Sequence, residues 1–137
     1  MITAIDTNVI SSIWSAEPNY GETLKLLNSA SSSGTLVISP VVYVELFSHP
    51  TATRSFVYEF LNTSKITIQF QLPEAVWHDA GSRFTKYSIR RRKSGGRHPK
   101  RLLADFIIGA HALLCADRLI TLDRKRFRRD FPELHMM

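Results

Sequence analysis

The sequence has few features that would place the protein in a membrane or in an oxidising compartment. Cys115 is the single cysteine among 137 residues, so an intrachain disulfide is excluded. No apolar run approaches the roughly 20 residues that span a bilayer, and the opening segment MITAID lacks the basic and apolar regions of a signal peptide. We therefore expect a soluble cytoplasmic protein in which Cys115 is an unreactive core residue.

Several motifs of phosphate and metal chemistry are also missing. The six glycines form neither GxGxxG nor GxxxxGK[ST], which argues against a nucleotide-binding protein. A phosphoaspartate phosphatase would carry a second acid two residues after the first, where this chain has Asn8. The five histidines show no zinc-type spacing such as HxxxH, and we expect His111 to be a hydrogen-bonded residue of the core or its rim.

Acidic residues are absent from one long stretch of the chain. Residues 80–104 contain nine Lys or Arg and no acid, whereas the rest of the chain has nine basic residues against twelve acids. The net charge of +6 is therefore local. Such a density indicates a surface for a polyanion such as nucleic acid. A solvated loop between charged helix faces is the alternative.

Short apolar strands alternate with amphipathic helices, a pattern typical of βαβ units. We predict strands at 1–6, 35–39, 65–70 and 118–123. We predict helices at 19–30, 40–47, 53–61, from Pro73 into the basic stretch, from Pro99 to 116, and after Asp123. The helix from Pro73 would place on one face Val76, Trp77, Ala80, Phe84 and Tyr87. The pattern predicts one domain, residues 1–137, with a central parallel sheet covered on both faces.

Four acids lie in apolar segments: Asp6, Glu45, Asp105 and Asp123. The first and last end predicted strands, and the other two lie early in helices, so all four belong near the carboxyl edge of the sheet. Buried like charges are costly unless a cation lies among them, and oxygen ligands favour Mg²⁺ or Mn²⁺. We predict that Asp6 and Asp105 bind the ion directly. Glu45 and Asp123 would then support these ligands without contacting the ion, or bind a second ion. Each acid alone could instead cap a helix or pair with an arginine.

Four segments resemble, in order and spacing, the motifs of PIN domains, and most closely those of VapC-type toxins of toxin–antitoxin pairs. They are IDTNVI, SPVVYVELF, LADFIIGAHAL and LITLDRKRFRRDFPEL. The resemblance implies a three-layer α/β/α sandwich, an endoribonuclease that uses Mg²⁺ or Mn²⁺, a homodimer, and inhibition by a cognate antitoxin. It assigns catalysis and metal binding to Asp6, Glu45, Asp105 and Asp123, with Asn8 and Thr121 in support.

On this hypothesis the RNA phosphates would contact basic residues beside the acids. The candidates are Arg90, Arg91, Arg92, Lys93, Arg97, Lys100, Arg101, Arg124, Lys125 and Arg126. The remaining alternative is a PIN-like module that binds RNA or protein without cutting it. The apolar segment FVYEFL would suit either a dimer interface or the core.

Overall fold

The computed structural model describes residues 1–98 and 100–137. In these residues the strands are β1 (Ile2–Ile5), β2 (Thr35–Ile38), β3 (Ile66–Ile68) and β4 (Arg118–Ile120). The helices are α1 (Thr7–Trp14), α2 (Tyr20–Ser33), α3 (Pro40–Leu46), α4 (Arg54–Thr63), α5 (Glu74–Lys93), α6 (Leu103–Cys115) and α7 (Arg124–Arg128). None of these helices combines the length and the apolar character that a membrane span requires.

The four strands form one parallel sheet in the order β3-β2-β1-β4. The first two connections move from β1 to β2 to β3, and the third crosses back to the far side of β1. Because such crossovers are right-handed, the helices of the third connection cover the face opposite those of the first two. The predicted three-layer α/β/α sandwich is confirmed, and the strand order reverses beside β1, where such sheets form their sites.

The core lies on both faces of the sheet and is mainly apolar, although Asp6, Asp105 and His111 are also buried. In β1 and β2 every residue after the first is buried, as expected of a parallel sheet between two helical layers. Gly109 of α6 allows close packing, since a Cβ there would lie 2.4 Å from Cε2 of Phe131. The C-terminal segment therefore packs directly against the helix that carries Asp105.

Two helices begin at capping side chains that directly follow the ends of β1 and β2. Asp6 caps α1 through the Thr7 amide, and Ser39 caps α3 through the Val42 amide. Pro40 occupies the first turn of α3, as predicted. The sequence-based prediction missed α1, although an N-capping acid followed by Val9 and Ile10 was the available signal.

Other sequence-based details need correction. Trp77 is 48% exposed and does not share the buried face of α5 with Val76 and Ala80. The helix predicted to open at Pro99 begins at Leu103, and Pro99 itself lies outside the described residues. Cys115 is half-buried rather than fully enclosed, and burial raises the pKa of its thiol.

His111 confirms the prediction of a hydrogen-bonded core histidine. Its side chain is buried in α6, with Nε2 2.5 Å from Oε1 of Gln69. Burial lowers its pKa from 6.5 to about 4, because the charged imidazolium would be desolvated. The unfolded chain therefore binds a proton that the folded chain does not, and stability falls as the pH drops from 6.5 towards 4.

We expect His111→Gln to abolish the loss of stability that His111 causes below pH 6.5. Between pH 7 and pH 5 the histidine should lower the wild-type free energy of unfolding by roughly 2 kcal/mol. Urea denaturation at both pH values measures it, and His135→Gln, at an exposed position, is the matched control. Other titrating groups cancel in the comparison, so identical pH dependence in His111→Gln and wild type would contradict the assignment.

Candidate active site

Asp6 is the most deeply buried of the four predicted acids, with 1% of its surface exposed. Its Oδ1 accepts a hydrogen bond from the Thr7 amide at 2.8 Å. Its Oδ2 accepts from the Thr121 hydroxyl at 2.8 Å and from Nη2 of Arg126 at 2.5 Å. Burial nevertheless raises the pKa of Asp6, since desolvation outweighs the favourable Arg126 charge and these hydrogen bonds. The site thus contains a carboxylate that needs positive charge nearby.

Asp105 lies beside Asp6 because α6 packs against β1. It belongs to the first turn of α6 and is buried, with its Oδ1 3.3 Å from Nε of Arg126. Burial is the largest cause of its raised pKa, and the charges of Asp6 and Glu45 raise it further, against the opposing effect of Arg126. One guanidinium therefore lies between the two acids that were predicted to bind metal directly.

Glu45 joins the group through Thr7, a residue that was not among the predicted site residues. The Thr7 hydroxyl donates to Oε1 of Glu45 at 2.6 Å, while the Thr7 amide donates to Asp6. Glu45 itself is half-buried on α3. The position of Thr7 between Asp6 and Asn8 in the first motif was the only sequence signal for this role.

Asp123 joins the group through Thr121. The Thr121 hydroxyl accepts from the Asp123 amide at 3.1 Å while it donates to Asp6. The exposed carboxylate of Asp123 caps α7 by accepting from the Arg126 amide at 3.2 Å. Asn8 does not contact Asp6 through its side chain in any described bond. Its Oδ1 accepts from the Leu122 amide at 3.2 Å, which ties α1 to the loop that precedes α7.

The donor chemistry of this group fits a hard divalent cation, although the four acids do not form a closed ligand set. Within residues 1–98 and 100–137, no three His, Cys, Asp or Glu side chains stand together as a metal-ligand group. Mg²⁺ commonly takes only one or two protein carboxylates and completes its shell with water. The buried pair Asp6 and Asp105 meets that requirement, and its contact with a guanidinium shows that a cation is accommodated there.

The two structural alternatives raised for the acids are also realised. Asp6 and Asp123 cap helices, and Asp6 and Asp105 pair with an arginine. In a cap, a carboxylate oxygen accepts a hydrogen bond from a backbone amide, and the carboxylate keeps its negative charge. The caps therefore fix the carboxylates in place, and it is the guanidinium of Arg126 that balances the charge of buried Asp6.

The basic candidates lie in different environments. Arg90 pairs with Asp130, and Arg91 donates to the carbonyl of His98. Arg126 lies between the acids rather than on the open surface. The backbone amide of Arg101 donates to the hydroxyl of Tyr87 at 2.7 Å, and Arg101 is half-buried. The exposed candidates are Arg92, Lys93, Arg97, Lys100, Arg124 and Lys125.

Two neighbouring cavities connect the basic end of α5 with α7. One, of about 480 Å³, has the aromatic rings of Phe84 and Tyr87 in its wall together with Arg91, Arg92 and Lys100. The other, of about 210 Å³, also includes Tyr87, along with Lys125 of α7. Arg101 borders both cavities. These cavities thus link the basic residues of α5 to α7, the helix that Asp123 caps.

The hydroxyl of Thr121 yields a test of how the acids are held. Thr121→Val keeps the shape but leaves a buried Asp6 oxygen and the Asp123 amide without that partner, which should cost about 1–3 kcal/mol of stability. Thr121→Ser keeps the hydroxyl and should cost less, about 1 kcal/mol for the lost methyl group. Urea denaturation at pH 7 without added metal measures both. A loss in Thr121→Val no larger than the loss in Thr121→Ser would contradict this role of the hydroxyl.

Comparison with known proteins gives two kinds of match. The family model described as PIN domain matches residues 3–131. A chain of the VapBC-1 structure from nontypeable Haemophilus influenzae is 26% identical, with a TM-score of 0.68 over 100% of this chain and 97% of that chain. A chain of the Rickettsia felis VapBC2 structure, bound to a promoter DNA fragment, is 24% identical, with a TM-score of 0.70 over 100% and 98%. No curated protein sequence matched the chain.

Proposed function

The chain belongs to the PIN-domain family, and on this premise we propose that it is a metal-dependent endoribonuclease, the toxin of a VapBC-type toxin–antitoxin pair. The resemblance that the four sequence motifs predicted, including its VapC type, is confirmed by the comparisons. The observation that best supports the proposed activity is the buried pair of carboxylates, Asp6 and Asp105, near the end of β1. Both of them contact the guanidinium of Arg126.

In this proposal Asp6 and Asp105 would bind Mg²⁺ or Mn²⁺ directly. Glu45 and Asp123 would either support these two ligands or bind a second ion. Such an ion would supply a more acidic bound water and positive charge to offset the negative charge that develops during phosphodiester hydrolysis. The chain's own contribution is orientation. Thr7 and Thr121 each donate to a different oxygen of Asp6, which fixes the plane of that carboxylate.

The basic surface would bring RNA to a site that by itself repels it. Carboxylates repel phosphates, so cations beside them are needed to bind the strand. We assign phosphate contacts to the exposed residues Arg92, Lys93, Arg97, Lys100, Arg124 and Lys125. The side chains of Arg90 and Arg91 have partners within the chain and would shape this surface. Arg101 is held through its backbone amide and borders the same surface. Single-stranded RNA is the favoured substrate, because its unstacked bases can reach aromatic walls such as that formed by Phe84 and Tyr87.

Two protein partners belong to the proposal: a cognate antitoxin that inhibits the nuclease, and a second copy of the chain. The similar solved structures are of VapBC proteins, which supports the antitoxin. An exposed aromatic group supports the homodimer. The ring of Tyr43 contacts Phe47, Tyr58 and Phe70 at centroid distances of 5.2, 6.0 and 5.3 Å. In the segment FVYEFL, Val57 and Leu61 are core residues, whereas Tyr58 reaches the surface.

We expect Asp6→Asn to lose RNA cleavage while it keeps the fold. The amide keeps the shape but removes the charge, so activity should fall by more than about 100-fold, since even the partners of metal ligands contribute 10–100-fold. The assay is cleavage of total cellular RNA with and without Mg²⁺ or Mn²⁺, with circular dichroism as the folding check. Glu59→Gln, at an exposed acid outside the site, is the matched control. Wild-type cleavage by Asp6→Asn in the same metal would refute the site assignment.

The same assay separates the nuclease from the alternative, a PIN-like module that binds RNA or protein without cutting. Metal-dependent fragments that Asp6→Asn does not produce support the nuclease. RNA that wild-type protein binds but never cuts, in either metal, would favour the binding module.

Salt dependence tests the proposed RNA surface. In an Asp6→Asn background, where RNA stays intact, Arg92→Gln should weaken binding of single-stranded RNA and lower the slope of log K against log salt by about 0.7 for one lost phosphate contact. Fluorescence anisotropy over a range of salt concentrations measures the slope. Lys25→Gln removes an equal charge from the exposed surface of α2 and should leave the slope unchanged. The same slope in both variants would argue against a role for Arg92.

A further inference from the structure

The acid pair contacts a cation that belongs to the chain itself. Nη2 of Arg126 lies 2.5 Å from Oδ2 of Asp6, and Nε lies 3.3 Å from Oδ1 of Asp105. We propose that Arg126 is the resident counter-ion of the metal-free site and that a divalent ion binds only by displacing its guanidinium. Arg126 is then an internal competitor that sets the metal affinity of the site. This inference rests on the proposed function, because it takes Asp6 and Asp105 as the metal ligands.

Competition follows from the atoms involved. An ion held by both carboxylates needs the oxygens that now face the guanidinium. A guanidinium stays protonated at any physiological pH, so Arg126 cannot yield its place by losing charge. Two cations a few ångströms apart also repel each other strongly where water is largely excluded. Arg126 and a divalent ion are therefore alternative occupants of the space between Asp6 and Asp105.

The surroundings of Arg126 allow its side chain to leave. The side chain is 24% exposed, against 1% for Asp6 and 10% for Asp105, so it has a path to solvent that the acids lack. Its contact with Asp105 is weak, since among the described residues Nε of Arg126 makes no hydrogen bond. The backbone of Arg126 is held separately by Asp123, which accepts from its amide. The guanidinium can therefore move out without unwinding α7.

The contact also explains how the chain can fold before it binds metal. Removing one partner of a buried ion pair leaves the other charge uncompensated and is strongly destabilising. Arg126 supplies that compensation when no metal is present. Its removal should therefore have two opposite effects: the metal-free protein becomes less stable, and the site binds a divalent ion more tightly.

Mn²⁺ titration by calorimetry at pH 8 tests the proposal with wild type, Arg126→Gln and Arg128→Gln. Arg128 is the matched control, an exposed arginine of the same helix. The dissociation constant for Mn²⁺ should fall on the order of tenfold in Arg126→Gln, as is typical of coupled sites, and change little in Arg128→Gln. Unchanged or weaker binding in Arg126→Gln, or an equal change in the two variants, would overturn the proposal.

A second measurement uses the wild-type chain and does not depend on the variant folding. The side-chain Nε–H signal of Arg126, assigned by its loss in Arg126→Lys, is followed by NMR during a Mg²⁺ titration. It should shift with the same midpoint as the backbone amides of Asp6 and Asp105. An Arg126 signal that stays in place while those amides shift would overturn the competition.

The failure of this inference is distinguishable from failure of the proposed function. If wild type and Asp6→Asn both bind no Mn²⁺, the metal site is absent, and the nuclease proposal and the competition fall together. If wild type binds Mn²⁺, Asp6→Asn does not, and Arg126→Gln binds no more tightly than wild type, the metal site stands and only the role of Arg126 is refuted.

Discussion

The burial of one carboxylate, that of Asp6, determines the arrangement of the residues around it. A buried charge is costly unless it is hydrogen-bonded and paired, and Asp6 draws its partners from three different parts of the chain. Thr7 opens α1, Thr121 follows β4, and Arg126 lies in α7. Thr121 reaches Asp6 because the parallel register pairs Ile5 with Ile120. A shift of that register would leave the carboxylate without its partners.

Much of the fold could be predicted because short apolar strands between amphipathic helices permit few arrangements. The errors have physical causes. α1 begins directly after Asp6, with no intervening loop. Asp6 was interpreted only as the end of a strand, whereas it also caps this helix. Trp77 follows the buried Val76, yet the burial of α5 is set by packing against α6, which leaves the indole largely exposed.

The candidate site was only partly accessible to sequence reasoning. The ends of the strands indicated where the acids would lie close together, and Asp6 and Asp105 do contact the same guanidinium, that of Arg126. The contacts of Thr7 and Arg126 depend on side-chain directions that no pattern encodes. Arg126 was assigned to RNA on charge alone. Its place between the acids follows from the direction of α7, which starts at the Asp123 cap. The site therefore contains its own positive charge as well as the acids.

In our proposal, Asp6 and Asp105 form a cation site in which a divalent metal ion replaces the guanidinium of Arg126. The most direct measurement is anomalous X-ray diffraction from crystals of the protein grown with and without Mn²⁺. With Mn²⁺ we expect an anomalous peak between the two carboxylates and the Arg126 guanidinium moved away from both. Without Mn²⁺ we expect the guanidinium between the two carboxylates. An anomalous peak at other residues, or none with Arg126 still in place at saturating Mn²⁺, would contradict it.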